Sequence, residues 1–183
     1  MHRALVYCGL AAVLLGTVSC GGNSTLNETE AAVFLTVDIT QYNPEIDVST
    51  TADVTIDTMS INSHPKDPSG TLSANQDVNL SRWVVTPYRT DGGTTASPQW
   101  VHDMSVYVPA GGTANLTNYR VYPAEYLSQP PLNWLLPENG GVDPETGQTH
   151  IRQSLKIEIY GTTVSGKSVK AEKIVAFNFT YGG

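Results

Sequence analysis

The chain has 183 residues, with 17 Asp and Glu against 10 Lys and Arg and a formal net charge of −7. An acidic surface with scattered bases excludes the usual nucleic-acid footprint, in which a basic patch displaces counterions from phosphates. Only Cys8 and Cys20 are present, so no disulfide framework is available and the fold must rest on packing and backbone hydrogen bonds.

The N-terminal residues 1–20 open with a short basic start, His2 and Arg3. An apolar run from Ala4 to Leu15 follows, then small residues and Cys20. The run is too short to span a bilayer and has the segment order of an export signal. Thr17-Val18-Ser19-Cys20 resembles the lipobox of bacterial lipoproteins, with Thr17 where such motifs usually carry Leu. The resemblance implies removal of residues 1–19 and acylation of Cys20, with palmitate-type chains holding the protein to a membrane. Gly21 after the cysteine, in place of Asp, implies the outer membrane of a two-membrane cell. Each buried CH₂ contributes about 0.8 kcal/mol, so no transmembrane helix is required. Residues 20–30 then read as a flexible tether, at most about 35 Å long when fully extended. The remaining chain loses Arg3 and carries nine bases against 17 acids. That balance gives no attraction to anionic headgroups, which leaves membrane affinity to the lipid.

Residues 31–183 read as one β-domain. In residues 31–40, Val33, Leu35, Val37 and Ile39 alternate with Phe34, Thr36 and Asp38, a strand that stops at Tyr42-Asn43-Pro44. Residues 53–62 form a second strand. Val54 and Ile56 share one phase and Met59 and Ile61 the other, which predicts a bulge near Thr58. The third strand covers residues 77–88, with Val78, Leu80, Arg82 and Val84 opposing Asn79, Ser81, Trp83 and Val85. Pro87 predicts that this strand leaves the sheet or runs on an edge there. Residues 100–109 hold a fourth strand. Residues 113–122 hold a fifth, with Ala114, Leu116, Asn118 and Arg120 on one phase.

The last two strands contain a trap. Gly161-Thr162-Thr163-Val164-Ser165-Gly166-Lys167-Ser168 fits the phosphate-loop pattern G-x-x-x-x-G-K-[ST] at every position. A phosphate loop needs a following helix, so that its N-terminus and the loop N–H groups converge on the phosphates. Here Leu155, Ile157 and Ile159 alternate before the loop, and Val175, Phe177 and Phe179 alternate after it. The pattern predicts a β-hairpin and no nucleotide site.

Residues 123–150 are long for a connection between strands. Residues 124–127 and 132–136 predict single helical turns, separated by Pro130-Pro131. Tyr126, Leu127, Leu132, Trp134 and Leu135 are expected to cap an open end of the core. The sharper alternative is a recognition surface carried on the loop. Asp143 and Glu145 offer oxygen ligands but do not match a calcium-loop pattern, so no metal is expected. His64, His102 and His150 have no metal spacing and are expected exposed, in or beside loops. No G-x-S-x-G nucleophile elbow occurs. Trp83 is expected in the core. Trp100 and Trp134 lie near loops and, with Tyr126, are the candidates for stacking on sugar rings.

About seven short strands separated by turns, with a tryptophan on the third and a hairpin at the end, resemble immunoglobulin-like and fibronectin-like domains. The resemblance implies an all-β antiparallel sandwich, here without the cysteine pair that bridges antibody sheets. With the lipobox, it resembles uncharacterised bacterial lipoproteins carrying one such domain. The expectation is a non-catalytic envelope protein without cofactor, using a protein or glycan partner. The alternative is carbohydrate binding through the loop aromatics.

Overall fold

In the computed structural model, residues 30–182 are described. The export signal, Cys20 and nearly all of the tether fall outside them. The domain is an all-β sandwich of eight strands: β1 (Val33–Tyr42), β2 (Glu45–Asp47), β3 (Val54–Pro65), β4 (Val78–Arg89), β5 (Trp100–Val108), β6 (Thr113–Tyr122), β7 (His150–Thr163) and β8 (Ser168–Thr180). One sheet has the order β1-β3-β6 and the other β2-β8-β7-β4-β5. Setting the short β2 aside, this is an immunoglobulin-like order in which β5 stays beside β4 instead of crossing to the first sheet.

All pairings are antiparallel except β2 with β8, which is parallel through Glu45 and Asn178. Sequence pattern missed β2 because three residues cannot show an alternation. Backbone bonds at its two ends hold it, from Asn178 N–H to the Pro44 carbonyl and from Val48 N–H to the Thr180 carbonyl, both 2.8 Å.

The core lies between the sheets and is built from the inward phase of each strand, with Trp83, Leu35, Ile56, Met59, Ile61 and Phe179 among its largest fully buried side chains. The expected bulge near Thr58 is present and belongs to a larger feature. In the three-stranded sheet every strand changes inward phase at the same level. Ile39, Met59 and Leu116 face each other on one side of the change, and Tyr42, Ile56 and Tyr119 on the other. Asn118 sits in this line with a positive φ of 47°. Uninterrupted alternation through Asn118 and Arg120 is therefore corrected: Tyr119 and Val121 take the inward side.

The third expected strand is corrected in the same way. Leu80 faces Gly161 of β7, but Arg82 faces Tyr160, leaving Ser81 as an extra residue on β4. Inward positions thus run Val78 and Leu80, then Trp83 and Val85, and Arg82 turns outward. Pro87 does run on an edge. Pairing of β4 with β5 ends at Val85 and Trp100, while Pro87 still faces Leu155 of β7. Its missing N–H falls on the side with no partner strand.

Candidate functional site

The two ends of the sandwich differ in kind. The plainer end, at which the chain enters the domain, carries the turns 109–112 and 164–167 and the connection 66–77, which holds a 3₁₀ turn at Ala74–Gln76. There Lys167 Nζ meets Glu30 Oε2 at 2.5 Å, next to the turn between β7 and β8. The opposite end collects the segments 43–53, 90–99 and 123–149, which connect the far tips of the strands.

The phosphate-loop match lies at the plain end and forms the expected hairpin turn. Thr163 N–H donates to the Lys167 carbonyl and Gly166 N–H to the Thr163 carbonyl, both at 2.8 Å. Val164 N–H bonds the Asp77 carbonyl, Ser165 N–H the Asn75 carbonyl, and Lys167 N–H the Thr163 Oγ1. Every backbone N–H from Thr163 to Lys167 is thus engaged, and β8 follows where a helix would be needed. The glycines have their own reasons. Gly166 adopts a φ of 82°, a left-handed turn position. A Cβ on Gly161 would lie 2.5 Å from the Asn79 carbonyl oxygen, at the level where Gly161 faces Leu80 next to the Ser81 bulge.

At the elaborated end, a buried cation ties three segments together. Arg89 closes β4, and its side chain is 2 % exposed. Its Nε donates to Asp91 Oδ1 at 2.7 Å, and its Nη2 to Asp91 Oδ2 at 2.9 Å and Asp143 Oδ2 at 2.5 Å. Asp143, with 0 % side-chain exposure, also accepts from Thr146 Oγ1 at 2.6 Å and Glu145 N–H at 3.1 Å. Burial pushes both aspartic acids up, and these donors more than reverse it, holding each below the ordinary carboxylate range. Glu145 in turn clasps the 90–99 segment. Its carboxylate accepts from the hydroxyls and backbone N–H groups of both Thr94 and Thr95. Those bonds, led by the Thr95 hydroxyl, bring its pKa down to about 2. The calcium alternative for Asp143 and Glu145 meets a guanidinium and two threonines where a metal would sit. Among the described residues no group of three His, Cys, Asp or Glu is placed to hold a metal ion.

The 123–149 segment forms short 3₁₀ turns at Ala124–Tyr126, Leu132–Leu135 and Pro137–Asn139. Leu127, Leu132 and Leu135 are buried in the core cluster, as a cap requires. Tyr126 is half-buried and meets Tyr122 edge-on at 5.3 Å. Trp134 is half-buried. Trp100 is corrected: it opens β5 on the inward phase, is 7 % exposed, packs on His102 at 4.3 Å and lies under Arg120. Its faces are occupied and offer no platform to a sugar. The histidines are corrected too, since all three are half-buried and within strands. His64 accepts or donates with Thr36 Oγ1 at 3.0 Å and stacks on Phe34. His102 Nδ1 bonds the Asp103 carbonyl at 2.8 Å.

Two hollows open at the elaborated end. One, of about 330 Å³, is lined by Glu45, Asp47, Asp53 and Asp57. The other, of about 530 Å³, is lined by Thr50, Glu125, Leu127, Leu136, Glu138 and Tyr181. Asp53 braces the cap, accepting from Ala124 N–H at 2.9 Å and pairing with Arg120 at 3.3 Å. Asp47 accepts from the N–H and hydroxyl of Ser49 and from Gly182 N–H, bonds that lower its pKa. Sequence reading missed this acidic end because its carboxylates come from four separate segments. No protein-family model matches the chain, and no curated protein matches it.

Proposed function

We propose that this is an exported envelope protein, lipid-anchored through Cys20, whose β-sandwich acts as a non-catalytic interaction module. The supporting observation is geometric. The chain enters the domain at the plain end, beside the β7–β8 turn and the 66–77 connection, whereas the segments 43–53, 90–99 and 123–149, both acidic hollows and the buried Arg89 clasp lie at the other. β1 alone spans ten residues, about 33 Å at strand rise. An anchor at Cys20 would thus hold the elaborated end away from the membrane, in reach of a partner. Rigid scaffolds commonly carry recognition on such loops. The acidic lining favours a partner with basic groups at its contact face.

The test uses the lone cysteine of the mature chain. Protein should be recovered from washed membranes and released into the soluble fraction by Cys20→Ser. Identical soluble recovery of both forms would defeat the anchor. In the Cys20-anchored form, Glu138→Cys should react with a bulky maleimide much faster than Ser165→Cys. Equal rates would reject the orientation.

At the elaborated end, the aromatics left as candidates for sugar stacking are Tyr126 and Trp134, each on a short turn of the cap. A glycan array with Tyr126→Ala and Trp134→Ala decides it, and unchanged binding by both variants removes them as the site.

A further inference from the structure

The bulge in β4 does more than reset its phase. It leaves Ser81 and Arg82 as consecutive exposed residues on the outer face of the five-stranded sheet. Beside them a hollow of about 580 Å³ opens, with Tyr160, Glu158, Thr162 and Ser168 around it and Gln99, whose Nε2 donates to Thr86 Oγ1 at 2.8 Å, on its side toward the 90–99 segment. Val84, only 7 % exposed although it points outward, forms the apolar floor. That volume is within the range of small-molecule sites, about 300–1,000 Å³.

The charges of this hollow are already arranged in pairs, with one exception. Glu158 is met by Lys156 at 3.1 Å and Lys170 at 2.5 Å. Lys170 also lies 5.7 Å over the Tyr160 ring. Arg82 faces Asp103 in strand register, yet makes no ion pair or hydrogen bond that the described residues supply. A guanidinium with five fixed N–H donors is thus left at the rim, next to hydroxyl, amide and carboxylate groups and a tyrosine ring. Around the hollow, the outer faces of β4, β5, β7 and β8 carry Arg82, Arg152, Lys156 and Lys170 against Asp103, Glu158 and Glu172, while Glu45 and Asp47 of β2 lie at the other edge of the sheet.

We propose that this hollow binds an acidic sugar, with Arg82 pairing to the sugar carboxylate and Glu158, Gln99, Thr162 and Ser168 meeting ring hydroxyls. The planar guanidinium fork matches a carboxylate in two parallel bonds. Glu158 is an acceptor for sugar hydroxyls, with its own charge already balanced by two lysines. A phosphate would present at most one or two O–H donors to that carboxylate, so the mixed donor and acceptor lining favours a polyol acid. Tyr160 offers its ring to the apolar face of the sugar. The site stands on the bulge geometry and needs neither the lipid anchor nor the orientation proposed above.

Calorimetry on the full chain in detergent tests it, with trigalacturonate, maltotriose and acetate as probes. Trigalacturonate should bind saturably and at least tenfold more tightly than the neutral maltotriose or acetate. Arg82→Gln should weaken it at least tenfold with unchanged far-UV circular dichroism and melting temperature, and Arg82→Lys should restore part of the loss. Tyr160→Ala should weaken it with the charge intact. Absence of saturable trigalacturonate binding would overturn the proposal. Acetate binding as tightly as the trimer would reduce the site to a bare anion contact and overturn it equally. So would an Arg82→Gln variant that binds like the parent.

Discussion

At the scale of single residues, Arg89 is the most consequential side chain. It is buried with two buried aspartates, and removing one partner of such a set leaves uncompensated charge in a dry place. Arg89→Met should cost about 3–5 kcal/mol, read as a lower urea midpoint with the slope unchanged. The same cluster gives the domain an acid limit. Asp91, Asp143 and Glu145 all have folded pKa values below their unfolded ones, Glu145 at about 2. Groups of that kind stabilise the fold fully above the unfolded value, about 4 for carboxyls, and lose the contribution as pH falls through the folded one. The urea midpoint should therefore hold from neutrality to about pH 5 and fall from pH 4 toward pH 2. Glu145→Gln should remove part of that slope. Two residues of the phosphate-loop match predict opposite outcomes from a nucleotide site. Lys167 is 49 % exposed and its Glu30 partner 80 %, so Lys167→Ala should change stability by less than about 1 kcal/mol. Neither form should show a thermal shift with Mg-ATP. Gly161→Ala, by contrast, must push a Cβ against the Asn79 carbonyl, and should cost about 1–3 kcal/mol as overpacking.

At the scale of elements, the buried leucines of the cap make a distinct prediction. Leu132→Ala and Leu135→Ala remove fully buried side chains and should each cost about 2–5 kcal/mol. A change confined to local proteolysis of residues 123–149 would mean the cap opens without the core. Most strands were legible in the sequence because their apolar alternation is driven by one buried face, and β6 begins and ends at the expected residues. What alternation cannot carry is a change of phase made inside a strand. The switch near Thr58 showed because apolar residues lie on both sides of it. The one at Ser81 was masked by Val84 and Val85, adjacent valines that satisfy either phase, although Arg82 in an inward position was the available signal. The cap was legible from its leucines and prolines. The Arg89 clasp was not, since Asp143 lies 54 residues away and an arginine at a strand end looks like an ordinary surface residue. Trp100 misled for a related reason: proximity to a loop says nothing about which face of the next strand a residue takes.

At the scale of the whole molecule, charge and architecture are distributed unevenly. Acids crowd the elaborated end, while acids and bases are closely balanced on the outer faces of β4, β5, β7 and β8. A partner approaching the loops and a sugar in the Ser81 hollow would then occupy separate surfaces, and binding one should leave the affinity for the other within about twofold when the sites are uncoupled. Among the described residues no helix is long and apolar enough to cross a membrane. The parallel patch between β2 and β8 has a further consequence, for the order of events during folding. Glu45 and Asn178 are 133 positions apart, and β8 lies inside its sheet, bracketed by β2 and β7. A nascent chain lacking its last strand has no inner rail on which β2 can settle and no cover for β7. Contacts of such long reach make assembly slow, on the order of milliseconds to seconds. The domain should therefore stay open to proteases until β8 has been made, and gain protection in one step when it has.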